Sequence, residues 1–259
     1  SSALAISHCE VAAAINGPYC GGFIGHGITS SPTITNSIFS GSLTATSYSG
    51  AFVGWKESSS KITIKNCLSV PSSISGGTSS DFACTQNGGS VTATVTNCYY
   101  AGSFNEKKGT ASDLTTMKGG KIARLLNGGD GTKESATSVW GQTIGTDAHP
   151  VYMTDNNANA VYCVTAGKAE VYGNANSIVP LTYNDILFDG TIIEKVTGYS
   201  CGSDKYTDSY TLAASDVTLS ATYDIIHDMS KLTQKDATGN TYYQIANVNH
   251  YHWLTYDVN

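Results

Sequence analysis

Charged side chains are scarce in this chain. They make up 13% of its 259 residues, and only three acidic and three basic residues fall within the first hundred. Because no run of Lys and Arg is present to neutralise phosphates, the sequence predicts neither nucleic-acid binding nor attachment to an anionic membrane. Gly, Ser, Thr, Asn and Tyr take the place of the missing charge, with 27 Gly and 16 Tyr. That composition is typical of all-β extracellular proteins.

The chain also lacks a long hydrophobic run. No stretch approaches the ~18–20 apolar residues that a membrane span needs, so we expect no membrane insertion within this segment. The N-terminal sequence SSALAISHCE has no charged region of the kind that opens a signal peptide. Since the chain begins and ends inside predicted structural units, we expect it to be part of a longer protein whose sorting signals lie outside it.

Motifs of metal, nucleotide and hydrolytic chemistry are missing as well. HExxH, Walker A, GxGxxG and CxxC do not occur, and the seven cysteines have no zinc-type spacing. Their odd number argues against a pure disulfide scaffold. Carboxylates are too sparse in the first hundred residues for an acid/base pair to stand out. We therefore predict no enzymatic activity, no metal and no cofactor.

Two motifs repeat along the first hundred residues at one spacing. The first reads ISHCEV, ITNSIF, IKNCLS and VTNCYY, beginning at Ile6, Ile34, Ile64 and Val95, and the second contains Phe23, Phe52 or Phe82. Apolar residues alternate over short runs separated by Gly, Ser, Thr and Asn, which indicates strands and turns rather than helix. Because one repeat of ~30 residues cannot bury its apolar face alone, we predict a short, β-helix-like β-solenoid.

One turn of each predicted coil carries a residue that we expect to stack along the solenoid: His8, Asn36, Asn66 or Asn97. The amides should bond backbone groups of neighbouring coils. Cys9, Cys67 and Cys98 follow directly, either as a metal or redox ladder or as small buried residues. We favour burial, because a coil rise of ~4.8 Å places stacked thiols too far apart to share one zinc ion.

These repeats resemble GLUG-motif repeats, which recur in large surface proteins of gut and mucosal bacteria, including adhesins and regions that flank immunoglobulin A proteases. The resemblance rests on YCGGFIGHG…ITNSIFSGSL from Tyr19 and on YSGAFVGWK…IKNCLS from Tyr48. A third copy departs from the pattern, with Cys84 where the others have Gly25 and Gly54. The resemblance implies an extracellular location, either secreted or at the bacterial cell surface, and a role in adhesion or display.

The segment SDLTTMKGGKIARLLNGG predicts a small helical cap. Ser112 or Asp113 is the expected N-cap, Gly119 and Gly120 break the pattern into two pieces, and Gly128 ends it. We expect the cap to cover the last coil and to close a first domain of residues 1–155.

The second part of the chain is acidic. Residues 151–259 carry five Lys and Arg against twelve Asp and Glu, whereas residues 1–150 carry nine against eight. Short β-type runs predict a small β-sandwich or β-grasp module over 156–226. Its ending, YTLAASDVTLSATY, resembles the closing strands of internalin B-repeat-like modules, which act as spacers in bacterial surface proteins. Residues 227–259 predict a strand and a helix, the latter from Val248 to Val258, that open a further module.

His26, Trp55 and Thr85 follow the repeated motif and should align across three coils. His26 and Trp55 are the candidate ligand-binding residues, because they would form a stacking edge for sugar rings or a peptide. The alternative, which we favour, is that they shield the turn. In the second module Cys163 and Cys201 either form its one disulfide or remain thiols, and the sequence leaves both open.

Three further patterns are interpreted as coincidence. GYSCG around Ser200 matches the nucleophile elbow G-x-S-x-G, but the polar sequence after it does not predict the required helix. His250 and His252 have no third metal ligand. Thr-x-Thr pairs begin at Thr33, Thr44, Thr92 and Thr94, which raises ice binding, but they do not fall at one place in the repeat, so no ordered array is expected.

The sequence therefore predicts a non-catalytic bacterial cell-surface adhesion or display segment that recognises a host glycan or glycoprotein. Two alternatives remain open. The chain is an accessory region of a large secreted protease or glycoside hydrolase whose catalytic domain lies elsewhere, or it is a carbohydrate-binding module in its own right.

Overall fold

A computed structural model describes residues 4–26, 31–55, 61–77, 79–81, 84–85, 93–104, 108–128, 139–154, 159–182, 186–188, 192–228 and 233–243. Across these residues the chain is mostly β-strand with two short helices, which confirms the predicted all-β class. The chain divides into two compact units, Ser1–Val161 and Tyr162–Asn259. The predicted helix from Val248 to Val258, His250, His252, Thr92 and Phe82 lie outside the described residues.

Short strands make up most of the first unit. They are β1 (Ala5–Ser7), β2 (Glu10–Val11), β3 (Ala14–Gly21), β4 (Thr33–Thr35), β5 (Ile38–Phe39), β6 (Ser42–Gly50), β7 (Val53–Trp55), β8 (Ile62–Lys65), β9 (Leu68–Ser69), β10 (Ser73–Gly76), β11 (Ser79–Asp81), β12 (Cys84–Thr85), β13 (Ala93–Thr96), β14 (Tyr99–Tyr100) and β15 (Thr110–Ala111). They pair in parallel in the orders β1-β4-β8-β13, β2-β5-β9-β14-β15 and β7-β12, while β6 pairs with β3, β10 and β11.

Each strand of the first sheet pairs with the equivalent strand of the next repeat. Ile6 lies beside Ile34, Ile34 beside Ile64, and Ile64 beside Val95, with no shift of register. Units of similar sequence that stack in one direction bring the same position of each unit together. The spacing of the repeated motif is therefore the register of the parallel sheets.

Alternate residues of these strands enter a shared apolar core. Ile34, Phe39, Leu43 and Ile64 are fully buried there. The rings of Phe23 and Phe52 stack at a centroid distance of 5.6 Å and an angle of 5°. The core thus contains the aromatic residue that recurs in the second sequence motif.

Glycine in the repeated motif permits close packing of the backbone. A Cβ atom at Gly54 would lie 2.5 Å from the carbonyl oxygen of Gly25 and 2.6 Å from the carbonyl carbon of Cys20. At Gly25, by contrast, the nearest atom would be the carbonyl oxygen of Tyr19 at 3.4 Å, an ordinary contact. Close approach of neighbouring backbone therefore explains why position 54 is a glycine.

One turn of each repeat holds a residue in the left-handed region. The φ values are 54°, 47°, 52° and 49° at His8, Asn36, Asn66 and Asn97. Asn adopts this conformation more readily than most residues. The Asn97 amide donates to Oδ1 of Asn66 at 3.0 Å and to the carbonyl oxygens of Leu125 and Leu126 at 3.1 and 3.2 Å. It thus joins a neighbouring repeat to the helix that follows.

Two helices, α1 (Leu114–Lys118) and α2 (Lys121–Leu126), come after the parallel strands. Asp113, the second of the two predicted N-caps, accepts a hydrogen bond from the Thr116 backbone amide at 2.8 Å. Gly120 lies between the helices with φ of 86°. The predicted division into two pieces is confirmed.

Two further strands, β16 (Trp140–Gly141) and β17 (Val151–Tyr152), form an antiparallel pair. This pair and the two helices pack on the outer face of the second sheet, which is formed by β2, β5, β9, β14 and β15. One apolar cluster contains Met117, Ile122, Leu126, Trp140, Tyr152, Ile38, Leu68 and Tyr99. The last three come from β5, β9 and β14. The Tyr152 hydroxyl contacts the carbonyl oxygens of Cys9 and Asn36, at 2.9 and 2.8 Å. The covering segment therefore runs along several repeats, whereas the sequence predicted a cap on the last coil.

The remaining strands are β18 (Val161–Ala166), β19 (Ala169–Asn174), β20 (Ile178–Pro180), β21 (Ile186–Phe188), β22 (Ile192–Cys201), β23 (Asp204–Tyr206), β24 (Ser209–Thr211), β25 (Val217–Asp228), β26 (Thr233–Lys235) and β27 (Thr241–Tyr243). A mixed sheet has the order β19-β18-β25-β22-β21, with β23 also on β22. β18 runs parallel to β25, and β22 runs antiparallel to it. Val164, Val196, Tyr199 and Leu219 lie in the core of this unit. Neither described helix is long and apolar enough to cross a membrane.

Candidate functional site

Four rings meet at one edge of the first unit, and we call them the aromatic edge. Tyr19 and Tyr48 are neighbours across β3 and β6, with nearly parallel rings whose centroids are 6.1 Å apart. The Trp55 ring lies 4.5 Å from Tyr48 and 5.3 Å from Tyr19. The His26 ring lies 4.5 Å from Tyr19. The two predicted ligand-binding residues therefore belong to one cluster.

Backbone pairing brings the cluster together. The Trp55 amide donates to the carbonyl oxygen of Gly25 at 2.9 Å, which places His26 of the preceding repeat beside Trp55. Trp55 also pairs with Thr85. The three positions singled out in the sequence therefore follow one another along the stack.

The rings of the aromatic edge differ in exposure. His26 is exposed, Tyr19 and Tyr48 are half-buried, and Trp55 is only 7% exposed. Since Trp55 packs against both tyrosines, most of its ring surface serves to cover them. The shielding interpretation fits Trp55, whereas the His26 ring is exposed.

Sequence reasoning missed Tyr19 and Tyr48 as members of this group. Both residues are the first of a copy of the repeated motif, so the sequence could have predicted that they align. Their pairing depends on a shift of register between β3 and β6 after Gly17, which places Tyr19 beside Tyr48.

The cysteines after the left-handed residues make local hydrogen bonds. Cys67 and Cys98 each donate to the carbonyl oxygen two residues earlier, both at 3.2 Å, and Ser37 makes the same bond at 2.8 Å. Burial, with a smaller effect from the neighbouring Cys98 thiol, raises the pKa of Cys67 well above its usual value. A thiol held in its protonated form suits a packed interior better than a metal or redox ladder.

Cys163 and Cys201 both remain thiols in the structure. Cys163 is buried in β18 and Cys201 is exposed at the end of β22, and β25 lies between these two strands. Two strand spacings amount to ~9.6 Å, whereas a disulfide needs a Cα separation below ~7 Å. Of the two alternatives that the sequence left open, this geometry favours thiols.

Ser200 lies inside β22 rather than at a strand-to-helix turn. It pairs with Lys205 of β23 and with Ser220 of β25. The segment around Ser200 therefore lacks the geometry that gives G-x-S-x-G its catalytic meaning.

Two rows of mostly hydroxyl-bearing side chains lie on the outer face of the first sheet, which is formed by β1, β4, β8 and β13. We call this surface the hydroxyl face. Ala5, Thr33, Thr63 and Thr94 make the first row, and Ser7, Thr35, Lys65 and Thr96 make the second. All are half-buried or exposed. The expectation that the Thr-x-Thr pairs share no common place is thus wrong for those at Thr33 and Thr94. Thr63 was missed because Lys65 takes the second position of its pair.

Within the part of the chain that the structure describes, no group of three or more His, Cys, Asp or Glu residues could hold a metal ion. Comparison of the chain with protein-family models, with curated proteins and with solved structures found no match.

Proposed function

We propose that the chain is a non-catalytic adhesion or display segment of a bacterial cell-surface or secreted protein. In this proposal residues 1–155 form a short β-solenoid with a small helical cap, and residues 156–226 form a β-sandwich or β-grasp spacer. The supporting observation is the constant register of Ile6, Ile34, Ile64 and Val95 along one parallel sheet. A stack built in this way lengthens by adding repeats, which suits a segment that holds a binding surface at a distance.

Composition and resemblance support the extracellular part of the proposal. The chain has few charged residues and many Gly and Tyr residues. Its repeats resemble GLUG-motif repeats of bacterial surface proteins, and its second part resembles internalin B-repeat-like spacers. Both resemblances favour display over catalysis.

The aromatic edge is the proposed recognition surface for a host glycan or glycoprotein. His26 is exposed, and Tyr19 and Tyr48 keep part of their surface open. Rigid rings give contact area at a low entropic cost, and Tyr adds a hydroxyl group for hydrogen bonding. The same observation supports the alternative of a carbohydrate-binding module, because that function needs the same surface.

An array of glycans and mucosal glycoproteins, probed with the intact chain, tests the proposal. Trp55→Ala removes a mostly buried ring and His26→Ala an exposed one, so His26→Ala is the cleaner variant. Thr44→Ala is the matched control, since Thr44 is exposed on β6 but is not one of the four rings. We expect binding by the intact chain and by Thr44→Ala, and reduced binding by His26→Ala. Absence of binding by the intact chain would contradict recognition, and undiminished binding by His26→Ala would contradict this site.

A further inference from the structure

We propose that the hydroxyl face binds the surface of ice. Its residues alternate along each strand with Ile6, Ile34, Ile64 and Val95. Ile34 and Ile64 lie in the core, and Ile6 and Val95 pack against it. Successive side chains of a strand point to opposite faces, so the residues on either side of these apolar positions point outward. Strand pairing therefore presents six hydroxyl groups in two rows on one face.

The geometry of the face is regular in two independent directions. Neighbouring strands of a parallel sheet lie ~4.8 Å apart, and residues i and i+2 of one strand lie ~6.6 Å apart. The register runs through β1, β4, β8 and β13 without a shift. The strand spacing is close to one of the two repeats with which water oxygens recur on a prism face of ice, and the spacing along the strand is somewhat shorter than the other repeat. A row of hydroxyls and a row of lattice waters would therefore coincide over several positions.

The side chains of the face are suited to an ordered surface. Thr is β-branched and has a restricted χ1 angle in a strand, so its hydroxyl and methyl groups are largely fixed before binding. One hydrogen bond already joins two neighbours of the second row, on β1 and β4, since the Thr35 hydroxyl donates to the Ser7 hydroxyl at 3.1 Å. Less side-chain entropy is then lost when a lattice of water is held against them.

The shape of the array favours a solid surface over a dissolved ligand. Small ligands bind in concave pockets, whereas these residues are spread along two rows of one sheet face. Aromatic rings, which would stack on the sugars of a crystalline polysaccharide, are missing from both rows. Tyr19, Tyr48 and Trp55 of the aromatic edge lie on other strands, β3, β6 and β7, and His26 lies between β3 and β4. This inference therefore does not depend on the proposed glycan recognition.

Lys65 interrupts the second row and provides the sharpest test. Its long charged side chain takes the place of a hydroxyl between Thr35 and Thr96. The variant Lys65→Thr completes the row, and Thr63→Lys adds a second interruption beside the first. Thr44→Lys makes the same change on the exposed part of β6, outside the hydroxyl face, and is the matched control.

The experiment measures the fraction of folded protein taken up by slowly growing ice, with inhibition of ice recrystallisation as a second readout. We expect uptake of the intact chain and of Thr44→Lys, greater uptake of Lys65→Thr, and loss of uptake in Thr63→Lys. Circular dichroism confirms the fold of each variant, and Thr63→Val replaces Thr63→Lys if the latter does not fold.

Three results would overturn the inference. The first is exclusion of the intact chain from ice, including the case in which only Lys65→Thr is taken up. The second is uptake that survives Thr63→Lys, and its loss in Thr44→Lys at the same time would place the contact on another sheet. The third is binding of the intact chain to microcrystalline cellulose or chitin but not to ice, which would assign the face to a polysaccharide.

Discussion

At Gly54 an added methyl group would meet backbone atoms on two sides, the carbonyl oxygen of Gly25 and the carbonyl carbon of Cys20. Backbone cannot move aside as a flexible side chain does. We expect Gly54→Ala to lower the free energy of unfolding by about 1–3 kcal/mol, the usual range for overpacking. Urea unfolding, monitored by circular dichroism, measures the change.

Gly25→Ala is the matched control for Gly54→Ala. Both glycines hold the same position in two copies of the motif, but a methyl group at Gly25 makes only an ordinary contact with the Tyr19 carbonyl oxygen. We expect its effect to stay within about 0.5 kcal/mol. Equal losses in the two variants would contradict close packing as the reason for glycine at Gly54.

At the scale of elements, helix α1 depends on its N-cap. Hydrogen bonds from the backbone amide and the hydroxyl of Thr116 lower the pKa of Asp113 below its ordinary value of 3.8. A carboxylate with a depressed pKa stabilises the folded state above its unfolded pKa, and this contribution is lost as the pH falls through the folded pKa. We expect Asp113→Ala to lower the melting temperature at about pH 7 and to lower it progressively less as the pH falls below the ordinary pKa of Asp.

The variant Asp113→Asn separates the cap from its charge. Asn is as good an N-cap as Asp, so this variant should keep most of the stability at neutral pH but lose the pH dependence. A melting temperature for Asp113→Ala equal to that of the unmodified chain at neutral pH would show that α1 is held by packing of Met117 alone.

Elements that follow from local signals were predictable, and those that depend on distant contacts were not. The repeat gave the pairing of parallel strands because equal units stack in register, and Asp113 and Gly120 marked the ends of helices through capping and backbone conformation. No local sequence pattern predicts that the Tyr152 hydroxyl contacts the carbonyl oxygen of Cys9, 143 residues earlier. The hydroxyl face, by contrast, could have been predicted from the repeat, because Thr33, Thr63 and Thr94 directly precede the repeated positions Ile34, Ile64 and Val95.

On the scale of the whole molecule, the two units have separate apolar cores and different charge. Nine basic and nine acidic residues lie in 1–160, whereas five basic and eleven acidic residues lie in 161–259. A cut between residues 160 and 161 keeps the bond from the Gln142 amide to the Asn159 carbonyl oxygen in one fragment, and all of β18 in the other. We expect both fragments to fold alone, with spectra that sum to that of the intact chain.

Salt should act differently on the two fragments. The acidic fragment carries like charges that repel one another, and added salt screens this repulsion over distances beyond ~8–10 Å. We expect sodium chloride to raise the unfolding midpoint of 161–259 and to change that of 1–160 less. Thermal unfolding of the intact chain should then show two transitions whose separation changes with ionic strength. A single transition, together with an unfolded 161–259 fragment, would mean that the second unit requires the first, because its own core around Val164 and Tyr199 is too small to fold unaided.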